Sequence, residues 1–291
     1  MTDLSFGVSV STSAALGTDP VADAQRAEAL GFDFVSAPDH PSGADPTYET
    51  WTMLSWIAAS TTRIGITTKV LGVPFRPPAL TAKMAETLDR LSNGRLILGL
   101  GGGYSDEEIH ALGLAARAPA QKVAGLEDAI QILRGLWSQQ SFSYVGNLSQ
   151  VNDAEMEPKP QRHIPIWLGT FGRRALNLTG RLADGWIPSL GFAPPDVVPA
   201  MRDRVLTAAQ QAGREPEEIT CAYNMEIRID ARSKHPPSVV AGSPEAITER
   251  LLSFISLGFT AMNFTPVGPG ENEQVERLAQ EVLPMVRSAS S

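Results

Sequence analysis

Gly94-Arg95-Leu96-Ile97-Leu98-Gly99-Leu100-Gly101-Gly102-Gly103-Tyr104 reads as an apolar strand that runs directly into a glycine-rich turn. Four other runs share this asymmetry. They are Phe34-Val35-Ser36-Ala37-Pro38-Asp39-His40, Ile64-Gly65-Ile66-Thr67-Thr68-Lys69-Val70-Leu71-Gly72, Ile166-Trp167-Leu168-Gly169-Thr170 and Gly185-Trp186-Ile187-Pro188-Ser189. In each, core-forming residues come first and glycine or small polar residues follow at the carboxyl end. A parallel barrel gathers its site residues at that end of every strand. With a helical pattern after almost every strand, the order predicts an α/β fold, a (β/α)8 TIM barrel with rim insertions.

Further strands are expected at Phe6 to Val10, Ala222 to Ile229 and Ala261 to Phe264. Helices announce themselves by their starts: Asp19-Pro20, Pro78, Pro119 and Ser243-Pro244-Glu245 each put proline or a capping side chain at the first turn. Leu80, Met84, Leu88 and Leu91 recur at helical spacing, as do Val123, Leu126, Ile130, Leu133 and Trp137. Trp51, Trp56 and Trp137 are expected to pack into the core. Barrels take about 250 residues as one domain, so residues 1–291 are read as a single domain. Its chief insertion is placed at about 139–163, as a small hairpin on the barrel rim. The 22 Pro and 25 Gly are dispersed and mark no linker.

A net charge of −8 argues against nucleic-acid or anionic-membrane partners, which need a basic surface. The single cysteine, Cys221, excludes an internal disulfide and a multi-cysteine zinc site, and the four histidines share no ligand spacing, so no metal is expected. The first basic residue is Arg26, and no apolar run approaches the roughly 18 residues of a membrane span. A cytoplasmic protein is the expectation.

Candidate chemistry falls at the strand ends. Gly99-Leu100-Gly101-Gly102-Gly103 fails the dinucleotide fingerprint, because the third glycine position holds Tyr104. Two readings are open there: a tight turn, or a surface that lets a flat ligand approach the backbone. Gly169-Thr170-Phe171-Gly172-Arg173-Arg174 opens a helix whose free N–H groups would suit a phosphate, the alternative being an ordinary cap by Thr170. Asp39-His40 leaves strand two where an imidazole could exchange a proton in the pocket, or could simply bond to backbone. Asp106-Glu107-Glu108 is read as charge at a helix start after Ser105, the alternative being a rim carboxylate that serves as an acid. Serine hydrolase chemistry has no G-x-S-x-G elbow to support it.

Together these segments resemble the luciferase-like monooxygenase superfamily of flavin- and deazaflavin-dependent oxidoreductases. The resemblance runs from about Phe6 to about Val286. It is carried by Ala27-Glu28-Ala29-Leu30-Gly31-Phe32-Asp33, Ala37-Pro38-Asp39-His40, Phe75-Arg76-Pro77-Pro78-Ala79-Leu80-Thr81-Ala82-Lys83 and Ala183-Asp184-Gly185-Trp186. Most specific is Thr87-Leu88-Asp89-Arg90-Leu91-Ser92-Asn93-Gly94-Arg95. The resemblance implies coenzyme F420 or FMN at the carboxyl rim. Leu71, Gly72 and Val73 would lie against the ring, with a non-proline cis peptide at Gly72-Val73. Gly101, Gly102, Gly103 and Tyr104 would line the ribityl chain, and Gly169, Thr170, Phe171 and Gly172 would hold the phosphate. His40, with Asp39, would be catalytic.

Two departures argue against glucose 6-phosphate as the substrate: Ala44 stands where deazaflavin-dependent sugar-phosphate dehydrogenases have tryptophan, and no glutamate sits in the glycine turn. The short 139–163 insertion and the Asp39-His40 and Phe75-Arg76-Pro77 patterns favour F420-dependent hydride transfer on a small organic substrate. FMN-dependent oxygenation is the rival reading, and a non-catalytic flavin-binding barrel is a third. Trp186, Leu190 and Phe192, read as apolar rim residues, suggest a partly hydrophobic substrate. Homodimerisation is an implication of the resemblance.

Overall fold

Strands hidden on both faces are built from near-continuous apolar runs, and Phe34-Val35-Ser36-Ala37 is buried at all four positions. The computed structural model describes residues 4–230 and 235–290. In chain order, β1 (Ser5–Ser9), α1 (Pro20–Ala29), β2 (Phe34–Ala37), α2 (Thr50–Ser60), β3 (Gly65–Thr68) and β4 (Leu71–Gly72) form the first third. Then come α3 (Pro78–Leu91), β5 (Leu96–Gly101), α4 (Asp106–Ala111), α5 (Pro119–Ser138), β6 (Ser141–Val145) and β7 (Gln150–Glu155). They are followed by β8 (Ile166–Leu168), α6 (Arg173–Leu182), β9 (Gly185–Trp186), α7 (Val198–Gln211) and β10 (Thr220–Ile229). The last are β11 (Val239–Gly242), α8 (Pro244–Ser256), β12 (Ala261–Pro266), α9 (Glu271–Arg277) and α10 (Leu283–Ala289).

Strands β1, β2, β3, β5, β8, β9, β10 and β12 pair in that order, and β12 returns to β1 through Ser5↔Ala261 and Phe6↔Met262. Every pairing around this ring is parallel, so the chain forms the eight-stranded (β/α) barrel. Its lower interior is filled by Phe34, Trp167, Ile187, Ala222 and Ala261. Phe34 and Trp167 meet edge to face at 5.7 Å between ring centroids. Gly7 and Gly185 make room for these rings, since a Cβ at either would overlap Phe34 or Trp167. This plug closes the barrel below and leaves the strand carboxyl ends for a site.

Local sequence sets the helix starts. Asp19 accepts from Val21 N and Ala22 N, Glu49 from Trp51 N and Thr52 N, and Ser243 from Ala246 N. Helix α3 departs from its expected stripe, because Leu80 and Leu91 are exposed while Ala82, Ala85, Glu86 and Asp89 face inward. Glu86 is held by Arg90 (2.6 Å) and Asp89 by Arg162 (2.6 Å), so the acids are buried as ion pairs. Trp51 and Trp137 are buried as expected, whereas Trp56 is exposed.

The hairpin β6–β7 does exist within 139–163, but it does not lie on the rim. It clads the outer side of α5: Phe142 fills the notch left by Gly135, and Asp128 accepts from Tyr144 Oη, Asn147 N, Leu148 N and Ser149 N. A helix that follows a barrel strand delivers the chain to the opposite end, so the hairpin starts there and climbs beside the helix. Outside the ring, β11 pairs in parallel with β10.

Candidate active site

A bulge between β3 and β4 forms one wall of the site. Its cis peptide is Lys69–Val70, so the expectation of a cis bond at Gly72–Val73 is corrected by three residues. From the bulge the strand alternates, with Val70 and Gly72 facing the cavity and Leu71 and Val73 turned outward toward Thr81 and Leu133. The side chains of Leu71 and Val73 therefore line no part of the cavity expected to hold the ring. The glycines of β5 and β8 are explained by the same bulge. A Cβ at Gly99 would overlap the Thr68 carbonyl oxygen, one at Gly101 would stand 2.7 Å from Val70 Cγ2, and one at Gly169 3.2 Å from it.

The cavity beside Val70 has a volume of about 480 Å3. Asp39, His40, Gly72, Gly101, Gly102, Gly103, Tyr104, Gly169, Thr170, Phe171 and Gly172 all line it, so the structure brings these expected residues together. His40 Nδ1 lies 2.9 Å from Glu108 Oε1. Glu108 comes from the first turn of α4, whose cap is Ser105 accepting from Glu108 N at 3.1 Å. The acidic run does supply helix-start charge, and its third residue also reaches the imidazole. That pairing was not legible from the sequence.

Asp39 is engaged in a network of its own. Its carboxylate is buried and accepts from Gly72 N at 2.8 Å and from both Arg76 terminal nitrogens at 2.8 and 3.1 Å. Arg76 also pairs with Glu49, the cap of α2. Burial alone would lower the Arg76 pKa, but bonds and charge from Asp39 and Glu49 outweigh it and hold the guanidinium firmly protonated. Asp39 thus ties the His40 loop to the bulge. The Phe75-Arg76-Pro77 pattern was the only sequence signal of this anchor.

At the far end of the cavity, α6 starts at Arg173 with Gly172 as its cap and no side chain bonding the first turn. Its free N–H groups face Gly169 to Gly172, the arrangement that favours an anion. Thr170 is not the cap, for its hydroxyl bonds Thr179 Oγ1 at 2.7 Å and its carbonyl accepts from Trp186 Nε1. Arg173 and Arg174 are exposed and do not line the cavity. Lys122, paired with Asp106 at 2.8 Å, does. Over the mouth, Phe192 touches Phe171 and Tyr104, with centroids 5.3 and 5.9 Å away. Trp186 and Leu190, expected at the rim, are instead buried in the core.

Above the aromatic plug, a polar chain crosses the barrel mouth. Lys69 Nζ donates to Ser9 Oγ at 2.6 Å and to Thr265 Oγ1 at 3.1 Å. Ser9 Oγ and Ser36 Oγ are 3.2 Å apart, and Ser36 Oγ donates to Asn263 Oδ1 at 2.8 Å. Asn263 Nδ2 donates to Asn224 Oδ1, and Asn224 Nδ2 to Ser189 Oγ, which lines the cavity. Burial pushes the Lys69 ammonium down to about 8, against a smaller opposing pull from Glu226. Sequence reading passed over Lys69 because a lysine inside a strand run carries no motif.

A family model described as luciferase-like monooxygenase matches residues 6–235. An F420-dependent glucose-6-phosphate dehydrogenase of Microbacterium testaceum is 27% identical over 312 residues, covering 90% of this chain and 91% of that protein. A 5,10-methylenetetrahydromethanopterin reductase of Methanolobus tindarius is 31% identical over 235 residues, covering 78% and 69%. Among solved structures, an F420-dependent secondary alcohol dehydrogenase in complex with an F420-acetone adduct superposes with a TM-score of 0.85 at 18% identity, over 98% of this chain and 99% of that one. Monooxygenase RslO1 from Streptomyces bottropensis gives 0.82 at 19% identity, over 97% and 99%. With more than half its length matched by the family model, the chain belongs to the luciferase-like monooxygenase family.

Proposed function

We infer that the chain is a coenzyme F420-dependent oxidoreductase that transfers a hydride to or from a small organic substrate. The observation that carries this reading is the His40–Glu108 pair, 2.9 Å apart, in the wall of a cavity whose opposite end is the uncapped start of α6. One end offers proton exchange, the other a berth for phosphate. The volume of about 480 Å3 lies within the range of cofactor pockets, and glycine backbone at Gly72 and Gly101 to Gly103 leaves the walls open to a flat ring. The relative named as an F420-dependent dehydrogenase supports the same cofactor.

When bound, the deazaflavin supplies a two-electron hydride carrier that reacts little with oxygen. The chain's own part is proton handling and placement. Hydride arriving at a carbonyl carbon leaves an alkoxide that needs one proton, and hydride leaving an alcohol carbon releases one. His40, with Nδ1 held by Glu108, exchanges that proton through Nε2. Asp39 and Arg76 fix the loop carrying His40. Gly169 to Gly172 and the first turn of α6 hold the phosphate, and Tyr104 and Phe171 flank the mouth. Ala44 sits in an exposed loop outside the cavity, which argues against the sugar-phosphate chemistry of the dehydrogenase relatives.

FMN with oxygen is the second reading, in line with the monooxygenase description of the matching family model. No helix among the described residues is long and apolar enough to cross a membrane. With a single cysteine the chain suits a reducing compartment, and we place it in the cytoplasm. Exposed Trp56 on α2 and Leu80 on α3 support a homodimer.

Titration of the apoprotein with F420 and FMN, each oxidised and reduced, tests the assignment. Tight F420 and weak FMN binding is expected, with reduced F420 oxidised faster once a reducible acceptor is added. Reduced FMN consumed under oxygen would replace this reading with the second, and binding without turnover would make the chain a carrier.

A further inference from the structure

Charges in the cavity pair off, with one exception. His40 is matched by Glu108, Asp39 by Arg76 and Lys122 by Asp106. Among the described residues, Lys69 has no carboxylate within ion-pair distance, and its ammonium bonds only the hydroxyls of Ser9 and Thr265. It is half-buried, with its remaining surface turned to two cavities that it separates. On one side is the cavity of about 480 Å3, on the other a polar pocket of about 240 Å3 where the carboxyl ends of β1 and β12 meet α1 and α9. A cation withdrawn from water without a counter-ion is costly, and an anion delivered to it recovers that cost.

We propose that the substrate carries a carboxylate and that the Lys69 ammonium, held by Ser9 and Thr265, is its recognition point. The proposal rests on the cavity being the reaction site and adds the substrate's chemical class. Other charged groups near Lys69 do not displace such a ligand. Glu226 is exposed on β10 and makes no bond to Lys69. In the polar pocket, Arg26 is engaged by Glu276 at 2.6 Å. Asp23 and Glu271 also line that pocket, and neither is within ion-pair distance of Lys69; burial raises the pKa of both, and the charge of Asp23 raises Glu271 further. Burial leaves Lys69 titrating near 8, so it is largely protonated at neutral pH, and a bound carboxylate would raise that value.

The chain has five lysines, so 13Cε-lysine labelling gives few resonances, and that of Lys69 is assigned by its loss in Lys69→Met. Benzoate is expected to move this resonance alone and to raise its titration midpoint by about one unit or more, while the isosteric amide benzamide leaves it in place. Benzoate affinity should fall about ten- to a hundredfold in Lys69→Met and partly recover in Lys69→Arg. Benzoate that moves no lysine, moves all of them alike, or is matched by benzamide overturns the proposal. The same samples titrated with F420 separate the two readings. F420 binding without a benzoate response removes only the carboxylate, and a benzoate response without F420 binding removes only the cofactor.

Discussion

His40 and Lys69 are the two groups whose protons matter most. Replacing His40 by Ala is expected to lower turnover by about 10²- to 10⁴-fold while F420 affinity changes little. Glu108→Gln should lower it by a smaller factor, because the amide keeps a partner on His40 Nδ1 but loses the carboxylate that sets the tautomer. Unchanged turnover in both variants would return His40 to a structural role. Lys69 gives a prediction about stability. Its pKa is 10.5 when unfolded and about 8 when folded, a cost of about 3 kcal/mol wherever both states hold the proton. Below pH 8 the whole cost is present. Between about pH 8 and 10.5 the unfolded chain binds the extra proton, so stability rises with pH. Relative to Lys69→Met, the wild-type chain should therefore gain in urea midpoint from pH 7.5 to pH 10, roughly. A constant difference would show that the ammonium is not strained by burial.

At the scale of elements, the bulge and the glycine strand are one fitted unit. Gly99→Ala should lower stability by about 1–3 kcal/mol and weaken F420 binding, since Thr68 and Val70 must move. Gly43→Ala, with nothing near the new Cβ, is the control, and equal behaviour of the two variants in thermal melts and F420 titrations would refute the fit. The glycine run was legible as site material, but its packing partner was not, because Val70 stands 29 positions from Gly99 in the chain. Helices with strong punctuation were read to their first residue, as with Pro78, Pro119 and Pro244. The buried face of α3 was misread, because spacing favours leucines over Ala82 and Ala85, and ion pairs with Arg90 on the same helix and with the distant Arg162 hide Glu86 and Asp89. Strand β11 was missed because its pairing with β10 is decided by a neighbour, not by its own four residues.

At the scale of the whole molecule, the eightfold alternation of strand and helix was visible, because each buried strand needs an apolar run and each helix a start signal. Closure itself is a tertiary fact, carried by β12 meeting β1. Which partners the site residues find is also tertiary, and so the pairing of Glu108 with His40 and the role of Lys69 escaped notice while His40 did not. The polar chain across the mouth adds something that belongs to no single strand: it has a direction. Lysine can only give hydrogen here. Ser36 spends its one proton on Asn263, so Ser9 must give its own to Ser36, and each amide passes the sense along to Ser189. Ser189 receives, and its own proton is the one left over at the cavity wall. A molecule entering from above thus meets a hydrogen whose orientation was set on the opposite side of the barrel, and the mouth welcomes an oxygen lone pair in preference to another N–H.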